Sequence, residues 1–453
     1  MKIQAALLLS FVANLSTIPV YGWEKAREAK IFNGETIYEY RMPNQLTVLF
    51  VPRHQAKVLT FQTWFRVGSV DEKLDSKLQK TGLAHLFEHM MFRGTSKYPD
   101  GKYDEISSRI GSDKQNATTY FYRTNYFQNV PSSRLEKIIE LEADRMRNLK
   151  IIPEVLEKEK GAVVGELRRA LDNPNRAAWD ELLKTIYQKA PFQYTVLGSE
   201  EEIKGFTLEE ATYFYKTFYA PNNCTVIVVG DTNEKELLKL VEEYYGDMKP
   251  QDLPKRGMLE EPVQAKERLT DKPHGQATSE VLLMGYRAPS INEADAVALS
   301  LLGTHLSTGM EARLRKLLVD KGIAVSADGE LSNQPDIFEF SVRMAENHKS
   351  EEAIKVIDRE IDDLKKTKIS KESFDRALNQ ELLSLYGNIA DNSALGNMLG
   401  EYLMLSGNYM RGFEIIEAYP KLKPEDLQAV AKKYFKKEAR SIVTVRPPKK
   451  DNI

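Results

Sequence analysis

One stretch of this chain occurs twice. Leu208–Val229 and Pro424–Val445 align without a gap. Glu209 falls on Glu425, Phe218 on Tyr434, and Val226–Val229 on Ile442–Val445. Each copy reads as an amphipathic helix followed by an apolar strand. Nearer the start of each half, Trp64-Phe65-Arg66 is similar to Gly285-Tyr286-Arg287. A repeat on this scale points to one structural plan built twice. The expected class is α+β, with two homologous domains of about 200 residues. Each should be a mainly antiparallel sheet covered by helices.

Local signals set the expected boundaries. Strand-like runs cover Thr36–Tyr40, Leu46–Val51 and Val58–Val67, and 116–130 is strand-like again. Helical patterns cover 81–92, Tyr103–Ile110, 133–148 and Pro153–Leu171, where the proline suits a first helical turn. Asp231 or Thr232 is placed to cap the helix after the first repeat copy. The proline- and charge-rich segment 246–272 reads as a linker. The expected domains are therefore 23–245 and 273–453.

Residues 1–22 have the pattern of a cleaved export signal. Lys2 precedes the mostly apolar Ala5–Ala13, Pro19 breaks any helix, and small residues flank Trp23. The expected location is the periplasm. No later run approaches 18 apolar residues, so no stable membrane anchor is expected. With 64 basic against 66 acidic residues there is no global basic field for nucleic acid. The one cysteine, Cys224, opens the apolar run to Val229 and reads as a buried strand thiol.

The chemistry concentrates in Gly82-Leu-Ala-His-Leu-Phe-Glu-His-Met-Met-Phe92. On a helix, His85, Glu88 and His89 share one face. Two imidazoles one turn apart can grip a single zinc ion. The carboxylate between them then lies beside the metal, where a general base for the attacking water belongs. This is the inverted motif His-x-x-Glu-His, and six histidines in the whole chain make a chance occurrence rare.

A catalytic zinc takes three protein ligands and keeps a fourth position open. Glu166 is the candidate third ligand. The helix from Pro153 carries an expected inward stripe of Val155, Glu159, Ala162, Val163, Glu166 and Ala170. An unpaired buried carboxylate is costly, and a metal ion would offset that cost. Glu159 is placed to orient a ligating imidazole. The plainer alternative for Glu159 is a salt bridge, with Arg145 or Lys158 as partner.

These residues resemble the pitrilysin/insulinase family of zinc metallopeptidases, which also includes the mitochondrial processing peptidases. In that family a Glu-x6-Glu pair follows the His-x-x-Glu-His motif. Here Glu159 and Glu166 supply the pair, and Glu166 follows His89 by 77 residues. The resemblance implies one zinc per chain, held by His85, His89 and Glu166. It implies Glu88 as the base and Glu159 as an auxiliary acid. Gln115-Asn-Ala-Thr-Thr119 is similar to the family's Asn-Ala-x-Thr segment, so Asn116 and Ala117 are expected to pair with a peptide substrate from an edge strand.

Two departures qualify that reading. Tyr122 stands where the family often has an acid. Leu318 and Val325 stand where the family's Arg-x6-Tyr pair is expected. A homologous second subunit carrying that pair, in a heterodimer, is the expected partner. The second half should have no metal site, because around its equivalent helix it offers only His305. His54, His274 and His348 lack ligand-like neighbours in sequence. The expected function is a zinc-dependent endopeptidase or oligopeptidase subunit. The alternative is a non-catalytic scaffold or peptide-binding subunit, since the family also contains respiratory-complex core subunits that have lost the motif.

Overall fold

The structure, a computed structural model, describes residues 22–189, 191–257 and 260–448. The expected export signal, apart from Gly22, lies outside the described residues. The first half supplies strands β1 (Glu24–Lys30), β2 (Thr36–Arg41), β3 (Thr47–Pro52), β4 (Val58–Phe65), β5 (Asp113–Thr119), β6 (Thr124–Pro131) and β7 (Cys224–Gly230). They form one sheet in the order β1-β2-β3-β7-β4-β6-β5. Its helices are α1 (Ser69–Leu74), α2 (Leu83–Met90), α3 (Lys102–Arg109), α4 (Leu135–Asn148), α5 (Pro153–Leu171), α6 (Pro174–Ile186), α7 (Glu200–Lys204), α8 (Leu208–Phe218) and α9 (Glu234–Tyr245).

The second half supplies β8 (Arg268–Pro273), β9 (Val281–Arg287), β10 (Ala324–Asn333), β11 (Asp336–Met344) and β12 (Arg440–Arg446). Its helices are α10 (Ala294–Ser307), α11 (Ser350–Lys366), α12 (Lys371–Ala390), α13 (Asn392–Ser406), α14 (Arg411–Ala418) and α15 (Pro424–Tyr434). Read from one edge, its sheet runs β8-β12-β9-β11-β10. That repeats β3-β7-β4-β6-β5 strand for strand. In each sheet a single pair is parallel, β3 with β7 and β8 with β12. The two halves are homologous α+β units, as the internal repeat predicts.

The correspondence holds at the level of single residues. The shift that carries Leu208 onto Pro424 carries all of α8 onto α15 and all of β7 onto β12. Phe65 pairs with Cys224 and Tyr286 with Arg440, so Trp64-Phe65-Arg66 and Gly285-Tyr286-Arg287 occupy equivalent places. Cys224 is buried, as expected of a strand thiol.

Each sheet buries one face on its own helices. The first core gathers Phe50, Phe61, Phe65, Phe87, Tyr126 and Phe214. The second gathers Tyr286, Leu301, Leu302, Phe338, Phe340 and Phe435. The other faces are closed by exchange. Helix α6, from the first half, lays Leu182, Leu183 and Ile186 on Val281, Leu283 and Val443 of the second sheet. Helix α13, from the second half, lays Leu395 and Leu399 on Leu49, Trp64 and Ile227 of the first. A Cβ on Gly400 would collide with the Trp64 indole, so only glycine lets α13 approach this closely. Each fully buried Leu or Ile contributes roughly 1.5–3 kcal/mol, which makes the exchange a principal bond between the halves.

Several expectations need correction. The strand-like run 116–130 is a hairpin, broken where the Tyr120 N–H donates to the Arg123 carbonyl. Asn233, not Asp231 or Thr232, caps α9, its Oδ1 accepting the Glu236 N–H at 2.9 Å. The segment 246–272 ends inside strand β8. Among the described residues no helix is long and apolar enough to cross a membrane.

Candidate metal centre

Helix α2 is held by its apolar side. Leu83, Leu86, Phe87 and Met90 are buried in the first core, and the Phe87 ring lies 4.9 Å from that of Phe214. The 3.6-residue period then leaves His85, Glu88 and His89 on the face turned to α5. The two imidazoles stand edge to face, 4.9 Å between centroids.

Helix α5 is rotated slightly from the expected stripe. Its buried residues are Leu156, Glu159, Lys160, Val163, Val164 and Leu167, whereas Ala162 is exposed. The two acids therefore differ. Glu159 is fully buried, while the Glu166 side chain, two turns further on, is 40% exposed.

His89 Nε2 lies 3.3 Å and His85 Nε2 3.8 Å from Glu166 Oε2. One ligand atom from each of the three residues falls within 4.8 Å of the others. A tetrahedral zinc with bonds of about 2.0–2.2 Å wants its ligand atoms about 3.3–3.5 Å apart. The donor set, two imidazoles and a carboxylate, is one that zinc takes with a position left open. Among the described residues no other group of three such side chains converges in this way. The His89–Glu166 pair already has that spacing, the other pairs are wider, and the donor set is one that zinc takes, so the residues present fit a zinc ion.

The electrostatics suit that use. Burial depresses the His85 imidazole to about 3, aided by the neighbouring His89 and Arg176, so it stays neutral with a free lone pair. Its Nδ1 is buried without a hydrogen-bond partner. Glu159 raises His89 above its ordinary value, with Glu166 and Glu88 adding to the effect. Burial raises the Glu88 carboxyl, partly offset by a hydrogen bond from the Thr119 hydroxyl and by the His89 charge. A carboxyl shifted upward is a better proton acceptor near neutral pH than an ordinary one.

Glu159 pairs with neither Arg145 nor Lys158. Arg93, one turn after His89, clamps it through Nε to Oε1 at 2.8 Å and Nη2 to Oε2 at 3.0 Å. The same Oε2 lies 3.8 Å from His89 Nδ1. Burial would raise Glu159, yet His89 and Arg93 together hold it below its usual range. Arg145 is instead buried against Glu142, and Lys158 pairs with Asp100.

Asn116 and Ala117 lie on β5, the free edge of the first sheet, and β5 packs beside α2. Asn116 pairs with Phe127 and Ala117 with Tyr126 across the hairpin, and the Asn116 carboxamide oxygen accepts the Ala117 N–H at 2.9 Å. Leu318 is fully buried in the second core, and Val325 is 57% exposed on β10. His305 is buried on α10 and depressed to about 4 by burial. His54 and His348 meet Asp231 and Glu352 at 2.9 Å, and His274 meets the Leu171 carbonyl at 2.8 Å. None of these four belongs to a metal-ligand cluster.

Arg93, Thr119 and Glu72 are missing from the sequence reading. Arg93 lies beyond the end of α2, in the turn that follows Met90, so helical period does not assign it to Glu159. Thr119 lies in the Asn-Ala-Thr-Thr segment, but its reach to Glu88 depends on the hairpin. Glu72 sits in the charged run Asp71-Glu-Lys73, which reads as solvated surface.

Residues 47–200 match the family model described as insulinase (peptidase family M16), and residues 205–381 match that of the peptidase M16 inactive domain. The chain belongs to the M16, or insulinase, family. The zinc protease PqqE of Helicobacter pylori is 29% identical over 416 residues, covering 90% of this chain and 92% of that one. The crystal structure of a protease from Helicobacter pylori superposes with a TM-score of 0.86 at 28% identity, over 90% of this chain and 99% of that one. The periplasmic protease PqqL of Escherichia coli shares the fold at 17% identity and a TM-score of 0.71, over 94% of this chain but 48% of that one. In M16 terms, the His85–His89–Glu166 cluster lies within the part matched by the insulinase model.

Proposed function

We propose that this chain is the metal-carrying subunit of an exported zinc endopeptidase or oligopeptidase. His85, His89 and Glu166 would hold one zinc ion. Bound there, zinc would polarise the scissile carbonyl and make an attacking water acidic near neutral pH. Glu88 takes the proton of that water on its carboxyl oxygen and delivers it to the leaving nitrogen. Glu159, fixed by Arg93, orients the His89 ring. The β5 edge, with Asn116 and Ala117, receives the substrate as an added strand, so its main chain is gripped largely without regard to sequence.

The observation that carries the reading is the meeting of three ligand atoms from two helices beside Glu88 and a free sheet edge. The zinc-protease names of the relatives support it. The decisive experiment measures zinc per chain and peptide hydrolysis on purified protein. About one zinc per chain and cleavage lost in Glu88→Gln would support it. A chain that takes up no zinc would leave the scaffold alternative standing.

The same reading includes a partner. Oxyanion donors contribute roughly 3–4 kcal/mol to acyl-transfer transition states, and Leu318 and Val325 offer none. A homologous second chain carrying an Arg-x6-Tyr pair would supply them in a heterodimer. The match to less than half of PqqL is in keeping with this, since that chain has length for a second unit. The periplasmic assignment rests on the sequence pattern of 1–22 and is in keeping with the periplasmic PqqL. Full turnover by this polypeptide alone would remove the partner from the proposal.

A further inference from the structure

Helix α2 starts without a cap of its own. Its N-cap is Gly82, in the left-handed region at φ 97°, with no side chain to offer the first turn. The first turn also contains no acidic residue. Yet α2 has only eight residues, and His85 lies in that first turn. The first N–H groups of a helix have no partner within it. Unsupported, a helix this short frays, and fraying here would move a metal ligand.

The missing acceptor comes from another element. Glu72, on α1, is fully buried. Its Oε1 accepts the Ala84 N–H at 2.6 Å and its Oε2 the Gly82 N–H at 2.9 Å. One carboxyl therefore spans the helix start, next in sequence to His85. Helix α1 is itself tied to the β5–β6 turn, where the Ser69 and Val70 N–H groups donate to the Tyr120 and Phe121 carbonyls. From the other side, Glu202 accepts the Thr81 N–H at 3.1 Å.

Stability alone does not explain a carboxyl in this place. Serine or asparagine at an N-cap gives a comparable bond without burying a carboxyl group. Glu72 has acids among its neighbours, Asp71 and Glu202, and burial pushes its carboxyl up to about 8 against the pull of the Ala84 and Gly82 N–H groups. Two bonds from one rigid group fix both the height and the rotation of α2. Those are the coordinates that decide whether His85 and His89 meet Glu166 on α5.

We propose that Glu72 is a positioning residue for the metal centre, holding the start of α2 so that His85 and His89 converge on Glu166. The inference rests on the reading of that cluster as a zinc site. Its test is Glu72→Gln in the full chain, which keeps the shape but presents an NH2 to one of the two N–H donors. The expected result is an unchanged fold by circular dichroism and amide exchange at Gly82–His85 at least tenfold faster. Zinc affinity, measured by competition with a chelator, should fall about 10–100-fold, the usual cost of losing an outer support. The visible absorption of the cobalt-substituted protein should shift, and kcat should fall with KM little changed.

A variant that loses thermal stability while zinc affinity and the cobalt spectrum stay as in the unmodified chain would overturn the inference and leave Glu72 a plain structural cap. If Glu72→Gln does not fold, amide exchange in the unmodified chain decides instead. Ala84 should exchange as slowly as the core strands with and without zinc, and exchange at loop rates would overturn the proposal. Failure of the underlying reading looks different, because then the unmodified chain itself takes up no zinc.

Discussion

Helices α2 and α10 stand at the same point of the chain order in the two halves, after β4 or β9 and before the hairpin β5–β6 or β10–β11, and they have opposite characters. Helix α2 buries one side and turns His85, Glu88 and His89 to α5. Helix α10 is buried almost all round, from Ala296 to Leu306. In the first half the acid on the facing helix, Glu166, meets two imidazoles. In the second half the facing helix α12 also carries an acid, Glu381, but it accepts hydroxyl bonds from Thr304 at 2.5 Å and Tyr419 at 3.0 Å. A carboxylate already satisfied by internal donors has no call on a cation. The same scaffold thus yields a cluster of metal-ligand side chains or an apolar core, depending on what faces one acid.

That contrast can be broken, and the largest effect should come from the base. Glu88→Gln should lower kcat by about 10³–10⁴-fold, the upper range for general acid–base groups, while elemental analysis still finds one zinc per chain. Loss of the metal in this variant would move Glu88 from base to ligand and spoil the contrast. A smaller effect is expected one layer out. Glu159→Gln, which weakens the hold on His89, should reduce zinc affinity or kcat about 10–100-fold, with chelator competition as the check.

The inert half should respond in stability instead. Leu302→Ala, in the second core, should cost about 2–5 kcal/mol in chemical denaturation and leave zinc uptake intact; a loss of metal would mean that the halves are coupled through more than packing. The smallest change is expected at His305. Burial depresses this imidazole to about 4, so its neutral form stabilises the fold above the ordinary value near 6.5. That contribution is lost as pH falls through this window toward 4, because the unfolded chain takes up a proton that the folded one refuses. His305→Gln should flatten this part of the stability–pH curve and leave zinc content and turnover as they were. Any change in zinc stoichiometry would show that the second half is not inert.

Much of this was legible in the sequence because it is periodic or local. The repeat placed α8 with α15 and β7 with β12 without slippage, since both copies keep a helical and then a strand pattern over an unbroken length. The grouping of His85, Glu88 and His89 follows from helical period alone, and Glu166 was singled out as an acid on an otherwise apolar stripe, although its side chain is 40% exposed. Strand β1, Glu-Lys-Ala-Arg-Glu-Ala-Lys, was not legible, because its alternation carries no apolar side. It becomes a strand by backbone pairing with β2 at the sheet edge. Glu72 was hidden for a related reason, since a charge beside other charges says nothing about burial. The rotation of α5, which exposes Ala162 and buries Lys160, is set by its neighbours. Lys160 is tolerated inside because Glu157 and the Phe206 carbonyl receive its ammonium group.

The trade of α6 for α13 reaches beyond stability. A protease nick or a gene break in the connecting segment would not release two self-sufficient proteins. Each piece would keep a helix that belongs on the other and a bare sheet that only the other can cover. Such pieces should be insoluble when made singly and should reassemble when made together, so the smallest heritable unit of this architecture is the pair of halves.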